Sequence, residues 1–174
     1  MTELAKLIDS RLRDVPDFPQ AGVLFKDITP LLADAEAFGS CIDAFAALPA
    51  ATEADLIAGV EARGFIVAAA LARAVGAGVI PVRKAGKLPP PTVSASYKLE
   101  YGSAEIEIPV GLIEGKRVYV VDDVLATGGT LAATIGLLER AGAAVTGVGV
   151  LIELSFLPGR ERLDGQDLTV LLTL

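Results

Sequence analysis

Val118-Tyr-Val-Val-Asp-Asp-Val-Leu-Ala-Thr-Gly-Gly-Thr130 decides the fold of this chain. The spacing predicts a short buried strand over Val118–Val121 that ends in two carboxylates, Asp122 and Asp123. A turn of small and hydroxyl residues follows, and then a helix over Thr127–Ala141 capped by Gly142. In open α/β sheets, ligands bind at the carboxyl ends of the strands. The first turn of the following helix offers free backbone N–H groups and a positive dipole end, which together bind anions. Gly128 and Gly129 let a phosphate come close to the backbone, while Thr127 and Thr130 add hydroxyl donors. Two acids just ahead of them can accept from the neighbouring hydroxyls of a sugar. A phosphate cradle beside a diol clamp describes a ribose 5-phosphate. A Gly-Gly turn after a strand is common and alone means little. Adjacent carboxylates repel, however, and need a reason to coexist. Two other phosphate motifs are missing: no GxxxxGK[ST] occurs, and no GxGxxG lies between a strand and a helix.

Outward from that junction, strands alternate with helices. Leu4, Leu7, Ile8 and Leu12 give a helix over residues 3–13 with Thr2 as its N-cap. Pro16 and Pro19 then impose an irregular segment to about Leu32. A second helix runs from near Asp34 to before Pro49. Asp55–Val60 reads as a buried strand, Gly64–Val75 as a helix ending at Gly76, and Gly78–Arg83 as the next strand. Residues 85–103 have no periodicity and contain Pro89-Pro90-Pro91, so they read as a long functional loop. Ala104–Ile108, Ala144–Leu154 and Leu168–Leu174 supply further strands. The expectation is one α/β domain over 1–174, with an open, mostly parallel twisted sheet flanked by helices. An N-terminal segment over about 1–32 and a flexible loop over about 85–103 are its appendages.

Composition narrows the chemistry. Apolar residues make up 52% of the 174 residues and aromatics only 5%, as in parallel strands buried on both faces. Mean hydropathy is positive, yet a membrane span needs about 20 consecutive apolar residues. The aliphatic stretch Ala141–Ile152 is shorter and holds three glycines. The first ten residues mix acids with apolar side chains, unlike a secretory signal. The single cysteine, Cys41, sits among Phe38, Ile42 and Phe45 and reads as packing, in a reduced, cytoplasmic compartment. There is no histidine, which removes imidazole acid–base chemistry, Ser-His-Asp and Cys-His systems, and imidazole metal sites. A net charge of -7 argues against nucleic acid as a partner.

Val120–Thr130 resembles the phosphoribosyl pyrophosphate signature of type I phosphoribosyltransferases. The similarity extends over nearly the whole chain. Asp17–Thr29, Glu61-Ala-Arg-Gly-Phe65, Arg83–Pro89 and Ser96–Gly102 are similar to segments of the adenine-specific members of that family. Each also has a reading from its residues alone. An aromatic in a loop, such as Phe25, either stacks on a flat base or folds back onto the core. Arg63 is a fork donor suited to phosphate oxygens, or else an ordinary surface arginine. Arg83, Lys84 and Lys87 form a basic cluster, which is either a solvated face or the positive patch an anionic substrate needs in an acidic protein.

The resemblance implies specific roles. Phe25 stacks on adenine, backbone groups of Leu24 and Lys26 read its edge, and Leu157 covers the other face. Lys26 stands where many relatives carry arginine. Glu61, Ala62 and Arg63 form a pyrophosphate loop with a non-proline cis peptide between Glu61 and Ala62. Arg83, Lys84, Lys87 and Tyr101 also meet the pyrophosphate, with Arg83 reaching across a homodimer interface. Ala126, Thr127, Gly128, Gly129 and Thr130 hold the 5-phosphate, and Asp122 and Asp123 grip the ribose hydroxyls. Glu100 is the general acid/base and Arg63 the other catalytic residue. The implied reaction is displacement of pyrophosphate at the anomeric carbon by adenine, giving AMP. Mg²⁺ arrives with phosphoribosyl pyrophosphate rather than in a dedicated protein site. Transfer to hypoxanthine, guanine, xanthine, uracil or orotate is the nearest alternative. A non-catalytic sensor of phosphoribosyl pyrophosphate is a further one, but it would need a DNA-binding module, and none fits before the second helix.

Overall fold

Aliphatic runs too continuous for a half-exposed sheet become its centre. The computed structural model describes residues 1–98 and 103–174. In chain order the elements are α1 (Glu3–Asp9), β1 (Arg13–Pro16), β2 (Leu24–Asp27), α2 (Thr29–Ala33), α3 (Ala35–Ala46), α4 (Pro49–Thr52), β3 (Leu56–Val60), α5 (Gly64–Val75), β4 (Gly78–Lys84) and β5 (Thr92–Lys98). They continue with β6 (Ser103–Pro109), β7 (Arg117–Leu125), α6 (Gly129–Arg140), β8 (Ala144–Glu153), a 3₁₀ turn over Arg160–Leu163 and β9 (Leu168–Thr173).

Seven strands form the main sheet in the order β5-β6-β4-β3-β7-β8-β9. The pairs from β4 through β3, β7 and β8 to β9 are parallel, whereas β6 runs antiparallel to both β4 and β5. Side chains alternate between its faces. Ile57, Val121 and Leu151 join the core under α1, α3 and α5. Ala58, Val60, Val118, Val120, Val148 and Val150 join the core under α6, against Leu131, Ile135 and Leu138. Strand β3 lies between β4 and β7, so the chain turns to opposite sides of it. That reversal opens a crevice at the carboxyl ends of β3 and β7. No described helix is long and apolar enough to cross a membrane.

The expected α/β architecture is present, with three differences of detail. First, 85–103 is not all loop: Thr92–Lys98 is a strand laid antiparallel on β6, in register from Thr92↔Pro109 to Lys98↔Ser103. Val93, Ala95 and Tyr97 alternate with exposed Ser94 and Ser96, a period-two pattern that follows directly on Pro89-Pro90-Pro91, and pairing with β6 completes the strand. Second, the irregular N-terminal segment contains a two-stranded sheet, with Val15 opposite Phe25 and Pro16 opposite Leu24. Asp27, at the end of β2, accepts from the Thr29 N–H at 2.9 Å and the Thr29 hydroxyl at 2.6 Å. Arg13 adds a guanidinium contact at 2.6 Å. These contacts, Thr29 first, bring the Asp27 carboxyl down to about 2 and pin the hairpin to α2. Third, β7 runs through both acids to Leu125 instead of stopping at Val121. It loses β3 after Val121 but keeps β8 as far as Leu125↔Glu153.

Thr2 caps α1 as expected, its hydroxyl oxygen accepting from the Ala5 N–H at 3.1 Å, although the helix ends at Asp9. Gly76 closes α5 in the left-handed region at φ +78°. Gly59 has another reason to be glycine. A Cβ there would lie 2.7 Å from the Ala68 Cβ and 2.9 Å from the Gly64 carbonyl oxygen. Gly59→Val is therefore expected to lower the unfolding free energy by about 1–3 kcal/mol, read as a shifted urea midpoint. An unchanged midpoint would mean that α5 can move off the sheet at no cost.

Candidate active site

Four chain segments converge over the carboxyl ends of β3 and β7, around a cavity of about 870 Å³. The β1–β2 hairpin contributes Leu24, Phe25 and Lys26, and the β3–α5 turn contributes Glu61, Ala62 and Arg63. The β7–α6 junction contributes Asp122, Asp123, Ala126, Thr127 and Thr130, and the segment after β8 contributes Leu154, Phe156 and Leu157. Lys84 and Tyr97 complete the wall. Residues expected to bind a base, a pentose, a phosphate and a pyrophosphate thus share one space.

At the β7–α6 junction, Gly128 takes φ +74° and precedes α6, and among the described residues no side chain caps the helix start. Gly128 and Gly129 are buried behind Ala126, Thr127 and Thr130. The first-turn N–H groups of α6 therefore belong to a helix end without a competing side-chain acceptor. The Thr130 hydroxyl lies 3.1 Å from the Tyr97 hydroxyl. Tyr97 was missed: it ends a Val93, Ala95, Tyr97 alternation that marks a strand, but nothing local places its hydroxyl at Thr130.

The acid pair occupies the overhang of β7. The Asp123 N–H donates to Asp122 Oδ1 at 2.9 Å. Asp123 is buried and forms an ion pair with the Arg63 Nε. The same guanidinium lies over the Phe25 ring, 5.1 Å from its centroid, in cation–π range. The Phe18 ring meets Phe25 edge-on at a centroid distance of 5.1 Å. Asp122 keeps some surface toward the cavity but is otherwise enclosed by protein. Burial first, and the neighbouring Asp123 charge second, raise its carboxyl well above the ordinary range, and Arg63 offsets only part of this.

The basic cluster divides. Lys84 lines the cavity, whereas Arg83 and Lys87 are absent from its wall. Arg83 donates to Glu61 Oε2 at 3.3 Å and to the Lys87 carbonyl at 2.8 Å. Glu61 also accepts from the Lys84 N–H at 2.9 Å. That N–H is the main reason its carboxyl sits below its ordinary value, with Arg83 adding to the effect. Glu61 was expected beside an anion; in the structure its carboxylate organises the start of the basic segment. Buried Glu107, which sequence reasoning missed, accepts from the Lys87 and Leu88 N–H groups, each at 2.7 Å. The Glu61–Ala62 peptide is cis, as the resemblance implied. Glu100 and Tyr101 lie outside the described residues.

A model of the phosphoribosyl transferase domain matches residues 34–167. The chain belongs to the phosphoribosyltransferase family. This phosphoribosyltransferase is 53% identical to the adenine phosphoribosyltransferase of Thermobifida fusca, over 99% of the chain and 98% of that relative. Its fold is similar to the crystal structure of adenine phosphoribosyltransferase from Thermoanaerobacter pseudethanolicus, with a TM-score of 0.93 and 47% identity, covering 98% of this chain and 99% of that one. It is also similar to the Saccharomyces cerevisiae adenine phosphoribosyltransferase complexed with D-2,5-dideoxy-2,5-imino-altritol 1,6-bisphosphate and adenine. That likeness has a TM-score of 0.88 and 37% identity, covering 98% of this chain and 99% of that one.

The raised carboxyl of Asp122 makes a prediction about pH. A group whose folded value exceeds its unfolded one, near 3.9 for aspartate, costs stability as pH rises through that interval. Asp122→Asn removes the cost. The stability advantage of the variant over the unaltered protein is expected to widen from about pH 4.5 to about pH 8 in urea titrations. An identical offset at both pH values would contradict the assignment.

Proposed function

We propose that this protein is a purine salvage enzyme that transfers the 5-phosphoribosyl group from phosphoribosyl pyrophosphate to adenine, releasing AMP and pyrophosphate. The supporting observation is that the acid pair and the α6 cradle share one cavity with Phe25 and Leu157. The α6 start takes the 5-phosphate, with Ala126 and Thr127 at its mouth and the Thr130 hydroxyl as a donor. Asp122 and Asp123 accept from the ribose hydroxyls. Phe25 and Leu157 enclose the flat base. Pro16 has no N–H to offer opposite Leu24, and β2 has a strand on one side only. The alternation of an antiparallel ladder then leaves the peptide groups of Leu24 and Lys26 to its open edge. The Lys26 side chain is held away by Asp14 at 2.6 Å, so its contribution to the base is through the backbone.

Arg63 has three claims on it in this reading: Asp123, the Phe25 ring and the pyrophosphate. When the pyrophosphate draws its guanidinium, Asp123 is released to the sugar and the ring face to the base. Lys84 supplies the second positive group, while Arg83 and Lys87 act by shaping the turn that presents it. Positive charge grows on the ribose as pyrophosphate departs. Adenine attacks the anomeric carbon, and Glu100 exchanges the proton on the purine ring. Among the described residues, no three or more Asp, Glu, His or Cys side chains converge as metal ligands, and both site aspartates already have partners. That donor set fits Mg²⁺ delivered as the chelate of its substrate, where it neutralises charge on the leaving group. We further propose a cytoplasmic homodimer, for which exposed Val79, Val110 and Leu112 offer apolar surface and sedimentation is the direct test.

Incubation with phosphoribosyl pyrophosphate, Mg²⁺ and each base in turn is expected to release pyrophosphate with adenine and not with hypoxanthine or guanine. The opposite preference would overturn the base assignment. Phe25→Ala should raise the KM for adenine about tenfold, since stacking a base on an aromatic ring contributes about 1–3 kcal/mol. The double variant Asp122→Asn with Asp123→Asn should fold and lose at least about a hundredfold in kcat/KM. Glu100→Gln should lower kcat by about a hundredfold with little change in KM, and a change confined to KM would remove its proton-transfer role.

A further inference from the structure

Among the fastenings of the segment after β8, an ion pair and a glycine contact stand out as ones that the transfer itself does not require. Glu153, the last residue of β8, is buried at 5% exposure. Arg160 grips it with both arms of its fork, Nε to Oε1 at 2.7 Å and Nη2 to Oε2 at 2.6 Å. The Thr173 hydroxyl, at 3.3 Å, adds a third contact from β9. The six residues between Glu153 and Arg160 are thereby closed into a strap, within which the Leu157 N–H donates to the Leu154 carbonyl at 3.0 Å. Leu154, Phe156 and Leu157 of this strap face the cavity, although Phe156 is 74% exposed.

The second fastening is a backbone contact. A Cβ at Gly159 would stand 2.2 Å from the Ala126 carbonyl oxygen, and one at Gly128 would stand 2.5 Å from the Gly159 carbonyl oxygen. The strap and the phosphate cradle therefore touch with no side chain between them. The Leu154 N–H also donates to the Leu125 carbonyl at 3.0 Å, one residue before Ala126. Leu157 and Phe156 have no packing of their own large enough to fix them. The chain on either side holds them: Ser155, whose N–H and hydroxyl donate to the Leu174 carbonyl at 2.8 and 2.6 Å, on one side, and the glycine contact with the Arg160 clamp on the other.

We propose that Arg160 and Glu153 are positioning residues for base recognition, holding the Leu157 strap in register with the phosphate cradle through the Gly159 contact. This rests on the assignment of Leu157 to the base and of Ala126–Thr130 to the 5-phosphate. A bidentate arginine fixes direction as well as distance, which a lysine cannot do. Loss of the fork leaves the cradle intact, because α6 and β7 build it independently, but lets the cover over the base drift.

The test separates base from phosphate. Arg160→Gln is expected to raise the KM for adenine about tenfold while the KM for phosphoribosyl pyrophosphate stays within about twofold. Arg160→Lys should fall between it and the unaltered enzyme. Gly159→Ala keeps the ion pair but pushes on Ala126, and should raise both constants and weaken ribose 5-phosphate binding in calorimetry. If Arg160→Gln does not fold, Arg160→Lys carries the same comparison, and an unchanged KM for adenine in it overturns the proposal. If Arg160→Gln lowers the melting temperature and leaves both KM values unchanged, the pair is merely structural and the proposal fails. If Gly159→Ala behaves like the unaltered enzyme, the coupling through the cradle fails. An unaltered protein that makes no AMP would instead condemn the parent reading.

Discussion

Backbone presses on backbone where α5 begins, and the cavity takes its form from that contact. A Cβ at Gly64 would come within 3.0 Å of both Asp122 Oδ1 and the Val121 carbonyl oxygen. Gly59 accepts the same helix turn from the strand beside it. With no side chain interposed, the first turn of α5 settles directly on β3 and β7. Arg63, the residue just before that turn, is delivered to Asp123. Two neighbouring carboxylates at the edge of a core are costly unless a counter-charge is held near them. The packing of three small residues, Gly59, Gly64 and Ala68, is therefore what makes the acid pair tolerable.

A chain without histidine has no imidazole to share the work, and fixed charge takes up much of it. Its cavity is built that way. Lys84 and Arg63 line it, the α6 start is a fixed dipole end, and aromatic and aliphatic side chains form the opposite wall. In a transfer where an anion leaves and the sugar becomes positive, placed charges of this kind are more useful than a proton relay. Water would hydrolyse such a sugar, and Phe25, Leu154 and Leu157 present apolar side chains to the space where it forms.

The parts legible in the sequence are those made by neighbours in the chain. Aliphatic runs marked β3, β4, β7, β8 and β9, Thr2 and Gly76 marked helix ends, and the Asp-Asp and Gly-Gly spacing marked the centre of the site. What stayed hidden depends on partners far along the chain. Thr92–Lys98 alternates in sequence, but that it lies on β6 and brings Tyr97 next to Thr130 depends on residues far along the chain. Glu107 looks like any acid on an alternating strand until the Lys87 and Leu88 N–H groups turn toward it. The basic cluster was legible as charge but not as geometry, since Glu61 takes Arg83 for the turn and leaves Lys84 to the cavity. Gly159 and Gly128 were visible as glycines; that they meet each other was not.

Helix α1 shares its core with the far end of the chain: Ala5 and Ile8 belong to the same apolar cluster as Leu172 on β9. On a ribosome, the opening turns of this protein therefore emerge long before the strand that will shelter them. The hairpin carrying Phe25 belongs to that same early stretch, and the wall it faces is completed by Leu154 and Leu157, far along the chain. Until then α1 finds only part of its shelter, from α3, and the strand that carries Leu172 arrives later to supply more of it.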